Sequence, residues 1–211
     1  LGQIAHEGQI LGKPNVYPYH QELTRGSWLQ RVLDASIMTP GGSRQVARAL
    51  RDARLQLRCE PGRSLLDGCG ITVGRVEFRK QRLDGTWLIG VAMNRTQCRS
   101  TSEDFLVDPM LLRPSREKPR LSSANPGSIE GYLVGAYCIE RELLTWRAMR
   151  FPNGVEVGDL VVFPNTAGYL MHILESSSHQ IPLARNLVLQ PGGGLSLDAI
   201  DGPGPDQATT I

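Results

Sequence analysis

The dipeptide Asp84-Gly85 constrains this chain more than any other feature, because it lies between two strand-like runs, Val76–Arg82 and Thr86–Met93. Both turn residues tolerate positive φ, so the pattern predicts an antiparallel hairpin. Upstream, Ile71 to Lys80 places apolar residues at odd positions before Gly74 and at even positions after it (Val76, Phe78). A phase change of one residue at a glycine predicts a bulge there. Further strand-like segments occupy Tyr132–Cys138, Leu143–Arg147 and Asp159–Pro164, with Gly158-Asp159 turning into the buried run Leu160-Val161-Val162-Phe163. Gly and Pro, at 23 and 14 of 211 residues, are too frequent for a helix bundle and fit strands joined by turns.

The first third reads differently. Residues 1–30 are turn-rich. A helix follows, with Ser43 as its expected N-cap and Val46, Ala47, Leu50 and Ala53 on one face. The alternating segment Leu55–Cys59 then reads as a short strand, stopped by Pro61-Gly62. A helix leading at once into a strand is an α/β signature. Residues 108–130 read as an irregular connection. Another apolar stretch, Tyr169–Leu174, comes later, and residues 190–211, with little to bury, are expected to be disordered. The expectation is therefore an α+β, mainly β chain. Residues 1–65 end an α/β unit, residues 66–189 form an antiparallel β-barrel domain, and residues 190–211 form the tail.

Composition removes several function classes. Lys+Arg is 23 against 21 Asp+Glu, a formal charge of only +2, which argues against a general nucleic-acid binder. The arginines at 44, 48, 51, 54 and 58, interrupted by Asp52 and without interleaved aromatics, read as a solvated helix face. No apolar run reaches the roughly 20 residues of a membrane helix. Residues 1–13 carry no signal pattern, and the expected location is cytoplasmic. Cys59, Cys69, Cys98 and Cys138 form no close pair, and His6, His20, His172 and His179 form no HExxH, so no metal site is expected. Gly8–Lys13 imitates a phosphate loop but is too short between its glycines and has Pro14 where Ser or Thr is needed. The run Ser176-Ser177-Ser178-His179 lacks the glycine-flanked elbow of a serine hydrolase.

Glu60-Pro61-Gly62-Arg63 is more specific, since it sets a carboxylate and a guanidinium on either side of a forced turn, just after an expected strand. In an α/β barrel, catalytic groups gather at the carboxyl ends of strands. The tetrapeptide is followed in order by Ile71–Phe78, Gly135-Ala-Tyr-Cys138, Glu156-Val-Gly-Asp-Leu-Val-Val-Phe-Pro-Asn165 and Gly168-Tyr169. Over about residues 55–175 this set resembles the C-terminal part of the fold-type III pyridoxal-phosphate (PLP) decarboxylases, the ornithine/diaminopimelate/arginine decarboxylase family.

The resemblance implies an alanine-racemase-like (β/α)8 barrel, of which residues 1–65 would be the end, followed by a C-terminal β-barrel domain. It implies pyridoxal 5'-phosphate as cofactor, an amino acid as substrate, and either a homodimer with shared active sites or a complex with a missing N-terminal half. Glu60 matches the glutamate that pairs with the pyridine nitrogen. Gly62 and Arg63 match the part of the motif beside the phosphate, which a guanidinium suits by charge and fork geometry. Tyr169 matches a tyrosine whose hydroxyl touches that phosphate. Cys138 matches a cysteine that reaches the other subunit's active site, where it helps direct protonation of the product. Familiar members follow this cysteine with Asp or Glu, which holds the far amine of a diamino acid. Here Ile139 follows, with Glu140 and Glu142 as the nearest acids, so ornithine, lysine and diaminopimelate are not the expected substrates. The family's cofactor-bearing lysine lies far upstream of the Glu-Pro-Gly-Arg motif, and Lys13 does not match it. The chain alone is therefore expected to be inactive, and the alternative is a non-catalytic β-barrel module for binding or assembly.

Overall fold

The computed structural model describes residues 22–98, 108–114, 127–168, 171 and 176–202. The first elements are helix α1 (Arg25–Asp34), strands β1 (Ser36–Thr39) and β2 (Gly42–Gln45), and helix α2 (Val46–Asp52). The two strands form an antiparallel pair closed at Thr39↔Gly42, where Gly42 has φ +99°. The Asp34 carboxylate accepts from Gln30 at 2.8 Å and Gln45 at 2.7 Å, and so ties the unit together. Neither helix buries a residue fully. Ser43 lies within β2, and the N-cap of α2 is Gln45, with no side-chain capping bond. The expected Leu55–Cys59 strand does not form: residues 55–61 have no regular structure and are exposed. A strand needs a neighbour to take its backbone hydrogen bonds, and none pairs with it among the described residues. No parallel barrel strand occurs among the described residues up to 65.

The one-turn helix α3 (Arg63–Leu66) leads into the main sheet: β3 (Ile71–Gln81), β4 (Trp87–Val91), β5 (Met110–Leu112), β6 (Ile129–Val134), β7 (Met149–Phe151) and β8 (Leu160–Pro164). Its strand order is β5-β8-β3-β4-β6-β7. The hairpin expected at Asp84-Gly85 joins β3 to β4. Its loop is Leu83-Asp84-Gly85, with Gly85 N–H on the Arg82 carbonyl at 3.0 Å and Arg82 N–H on the Thr86 carbonyl at 2.8 Å. Only Gly85 uses positive φ, at +88°. This is the three-residue hairpin loop with a left-handed third position.

The irregularity in β3 falls between Val76 and Phe78, not at Gly74. Thr72, Gly74 and Val76 all face inward, while Ile71 and Val73 face outward at 55% and 49% exposure. Gly74 is required by a close approach: a Cβ there would lie 2.5 Å from Val91 Cγ1. The expectation of a purely antiparallel domain also needs correction, since β4 and β6 pair in parallel, from Trp87↔Gly131 to Gly90↔Val134. Short strands β5 and β7 occupy stretches that the sequence leaves irregular, and Leu143–Arg147 supplies only a single bridge, Val134↔Leu143.

The core fills the concave side with Val76, Ile89, Val91, Leu133, Leu144, Met149, Phe151, Val155, Val161 and Phe163. Edge strands β5 and β7 face one another across a cleft of about 380 Å³ lined by Leu111 and Arg113 on one side and by Met149 and Phe151 on the other. Side chains span the seam. Arg147, buried, pairs with Asp108. Arg113 donates to the carbonyls of Asn153 (3.4 Å) and Gly154 (3.5 Å) and to the fully buried Asp159 carboxylate (3.1 and 3.3 Å). That carboxylate holds the Arg113 guanidinium above its ordinary pKa, chiefly through the hydrogen bond.

Residues 190–202 are not a disordered tail. Strands β9 (Leu187–Leu189) and β10 (Leu195–Leu197) form a second hairpin. Its loop repeats the Arg82–Thr86 pattern, with Gly193 N–H on the Gln190 carbonyl at 2.9 Å and Gln190 N–H on the Gly194 carbonyl at 2.8 Å.

Candidate functional site

The register places four backbone ends together. Ile71 at the start of β3 pairs with Pro164 at the end of β8, and Val76 pairs with Val91 at the end of β4, whose parallel neighbour β6 ends beside it. The carboxyl ends of β4, β6 and β8 therefore share one end of the sheet with the entry to β3. All the expected site residues within the described range lie on segments that enter or leave at this end.

Glu60-Pro61-Gly62 approaches it as exposed chain, and Gly62 caps α3 by accepting from Leu65 N–H at 3.0 Å. Arg63 is the first residue of α3. The exit from α3 is sewn to the loop after β8. Gly68 N–H donates to Asn165 Oδ1 at 2.8 Å, and Asn165 Nδ2 donates to Asp67 Oδ1 at 2.7 Å. Thr166 N–H donates to the Gly70 carbonyl at 3.0 Å, and the buried hydroxyls of Thr72 and Thr166 meet at 2.8 Å. A Cβ on Gly70 would come within 2.9 Å of Ala167 Cβ, so glycine permits the contact. The segment leaving α3, residues 67–72, and the loop at 165–167 are thus fixed to one another. Tyr169 lies outside the described residues, as do Lys13, His6, His20, His172 and the Gly8–Lys13 segment.

Cys138 sits in the loop that follows β6. Ala136 N–H donates to the Met93 carbonyl at 2.9 Å, Gly135 N–H to the Glu142 carbonyl at 3.1 Å, and Glu142 N–H to the Ile139 carbonyl at 3.0 Å. The Glu142 side chain turns inward, 4% exposed, where Oε1 accepts from Arg95 N–H at 2.8 Å. Gly135 is needed because a Cβ there would lie 2.1 Å from that oxygen. The turn beneath is a reciprocal cap: Asn94 Oδ1 accepts from Thr96 N–H at 2.9 Å, and Gln97 Oε1 accepts from Asn94 N–H at 2.8 Å. Cys138, Ile139, Glu140 and Arg141 remain exposed at the tip.

Sequence reasoning missed this base of Asn94, Gln97 and Glu142, although Asn94-x-x-Gln97 has the spacing of a capping box. The inward course of Glu142 has no local signal. Glu60 is exposed and makes no hydrogen bond or ion pair among the described residues, so its carboxylate is available to an outside partner. Neither Glu60, Gly62, Arg63 nor Cys138 lines the cleft between β5 and β7. Among the described residues, no three His, Cys, Asp or Glu side chains gather as metal ligands, and no helix is long and apolar enough to cross a membrane.

No family model matches the chain. A curated relative, the uncharacterized protein y4yA of Sinorhizobium fredii, is 34% identical over 199 residues, which is 92% of this chain and 42% of the relative. The chain therefore spans about two fifths of the length of the curated protein it matches. Among solved structures, a diaminopimelate decarboxylase superposes with TM-score 0.58 at 18% identity, over 86% of this chain and 42% of that one. A point variant of Helicobacter pylori diaminopimelate decarboxylase, complexed with L-lysine, gives 0.56 at 18% identity over 72% and 34%. Campylobacter jejuni carboxynorspermidine decarboxylase, complexed with norspermidine, gives 0.54 at 17% identity over 72% and 41%. At these identities the likeness is one of fold: this mainly β chain has the architecture of a part, about two fifths or a third, of diaminopimelate and carboxynorspermidine decarboxylases.

Proposed function

We propose that this chain is the C-terminal part of a PLP-dependent amino-acid decarboxylase that works as a homodimer, with residues 1–65 ending its barrel and residues 66–189 forming its β domain. One observation supports the reading: in a fold shared with decarboxylases, the segments that follow the Glu60–Arg63 corner, lead to residue 169 and carry Cys138 enter or leave at the same end of one sheet. The donor set fits the cofactor. Glu60 offers a carboxylate with no partner among the described residues, suited to a pyridine nitrogen. Arg63 and Tyr169 offer phosphate donors, and Gly62 lets the backbone come close. When bound, the cofactor supplies a ring that takes up the electron pair left as CO2 departs. Glu60 would hold the ring nitrogen and keep it protonated. Cys138, contributed by the other subunit of the dimer, would help return a proton to the product.

Lys80, near the end of β3, is the one lysine among the described residues, and the family's lysine lies upstream of the Glu-Pro-Gly-Arg motif, so the amine that holds the cofactor would come from the upstream part of the whole protein. The substrate is an amino acid without a distal ammonium, because Ile139 offers no charge and Glu142 is turned inward onto Arg95. The test is the complete protein loaded with PLP. The expected result is a visible absorption band, with cofactor affinity about 10–100-fold weaker in Glu60→Ala/Arg63→Ala, as loss of charged hydrogen bonds predicts. Unchanged affinity and turnover in that variant would favour the non-catalytic module instead.

A further inference from the structure

The run Ser176-Ser177-Ser178-His179, of no use as a hydrolase motif, turns up beside Cys138. Ser176 N–H donates to Thr96 Oγ1 at 3.2 Å, and the Ser176 carbonyl accepts from the Tyr137 hydroxyl at 2.9 Å. On the far side of the run, Gln97 Nε2 donates to the Pro182 carbonyl at 3.3 Å. Between these anchors, His179 (φ 61°, ψ 14°) and Gln180 (φ 56°) are consecutive left-handed residues, neither of them glycine. Such conformations persist where the surroundings over-determine them, and they concentrate at binding sites. The product is an exposed imidazole whose ring centroid lies 5.2 Å from that of Tyr137, the residue next to Cys138.

An imidazole donates at least one N–H in either protonation state. The exposed charges beside it on the tip, Glu140 and Arg141, oppose one another, and Glu142 is turned inward onto Arg95. A donor of this kind, next to the apolar Ile139, suits a ligand group that accepts a hydrogen bond and gives no welcome to an ammonium. We infer that His179, braced by Tyr137, meets the substrate's side chain beside Cys138, and that this side chain ends in a hydrogen-bond acceptor such as a carboxamide or carboxylate. The role in turnover rests on the decarboxylase reading.

Two measurements separate the inference from that reading. In the ¹⁵N-labelled 211-residue chain at fixed pH, L-glutamine and L-glutamate are expected to shift the His179 ring nitrogens, while L-lysine and L-norleucine do not. In the complete PLP-loaded protein, His179→Phe keeps a ring against Tyr137 but removes the donor. It is expected to lower kcat/KM for acceptor-ended substrates about 10–100-fold relative to norleucine, through KM, with the cofactor band intact. His179→Asn, which tolerates the left-handed backbone, controls for folding. A uniform change across the panel, or no selective shift of the ring nitrogens, overturns the recognition role. A selective shift without any cofactor band keeps recognition and sinks the decarboxylase.

Discussion

Replacing Asp159 by alanine tests how the sheet's open seam is held. Its carboxylate is fully buried and accepts from Arg113 at 3.1 and 3.3 Å and from Glu156 N–H at 2.8 Å. Removing one partner of a buried pair costs about 3–5 kcal/mol when the other charge is stranded. The Arg113 side chain is 37% exposed and recovers water, so the lower end applies. A loss of about 3 kcal/mol is expected for Asp159→Ala and about half that for Asp159→Asn, which keeps one acceptor. With a urea slope of about 2 kcal/mol/M, the alanine variant's midpoint falls by about 1.5 M. Urea denaturation followed by tryptophan fluorescence reads this directly. Arg113→Met and the double variant complete a cycle, with a coupling of about 1–2 kcal/mol. A midpoint shift below about 0.3 M, or a coupling near zero, would show that the backbone alone holds the seam.

Three other outcomes follow from the geometry. Gly131→Ala puts a Cβ 2.1 Å from the Trp87 carbonyl oxygen, so the parallel β4–β6 pairing must open, at a cost of about 3 kcal/mol or more, visible as a lowered melting temperature. Glu142→Ala leaves the Arg95 amide without its acceptor, and hydrogen exchange at residues 94–98 and 135–142 should rise about 30-fold while β3 and β8 stay protected. The Asp84 carboxyl is held below the ordinary 3.8 by hydrogen bonds from Thr86, with Arg82 assisting. Since its folded pKa is depressed, the hairpin gains from it above pH 3.8 and loses that gain as pH falls through the lower folded value. An NMR titration of Asp84 should therefore show a midpoint under 3.8 that returns toward it in Thr86→Pro.

What the sequence revealed was local. Asp84-Gly85 and Gly158-Asp159 announce turns through their own backbone preferences, and Leu160–Phe163 announces a buried strand by its apolar run. The Gln190–Gly194 loop uses the same hairpin geometry as Arg82–Thr86, yet a glycine-rich, polar stretch masks it. Composition was the wrong guide there; a glycine at the third loop position was the right one. Pairings between distant segments left no trace: the parallel partner of β4 and the seam between β5 and β7 depend on contacts across the fold. The site divides in the same way. Glu60, Gly62, Arg63 and Cys138 were legible as motif positions, whereas His179 and Glu142 acquire meaning only from what they touch.

The Glu60 corner lies at the surface of this chain, and the surface beside it is apolar. Across three strands, Val73, Val162 and Met110 stand opposite one another on one face; Val162 is itself buried, at 3% exposure, and its exposed flanks Val73 and Met110 have Ile71 and Leu112 nearby. Val73 and Met110 are 49% and 51% exposed, and Leu55, Leu57 and Leu65 on the approach to the sheet are 50–65% exposed. Scattered apolar residues need no partner, but a contiguous row does. If, on the decarboxylase reading, the rest of the protein covers this face together with the corner, cofactor binding and burial of the row should be one event. Val73→Asp tests the link, since it adds a charge where water now reaches and alters no hydrogen-bonded side chain. In the 211-residue chain its stability change should stay within about 0.5 kcal/mol. In the complete protein the charge would be stranded in an apolar contact, and PLP retention should fall at least tenfold. If the complete protein carries Val73→Asp and still holds its cofactor, the row is not the covered face, and the corner must be closed from another side.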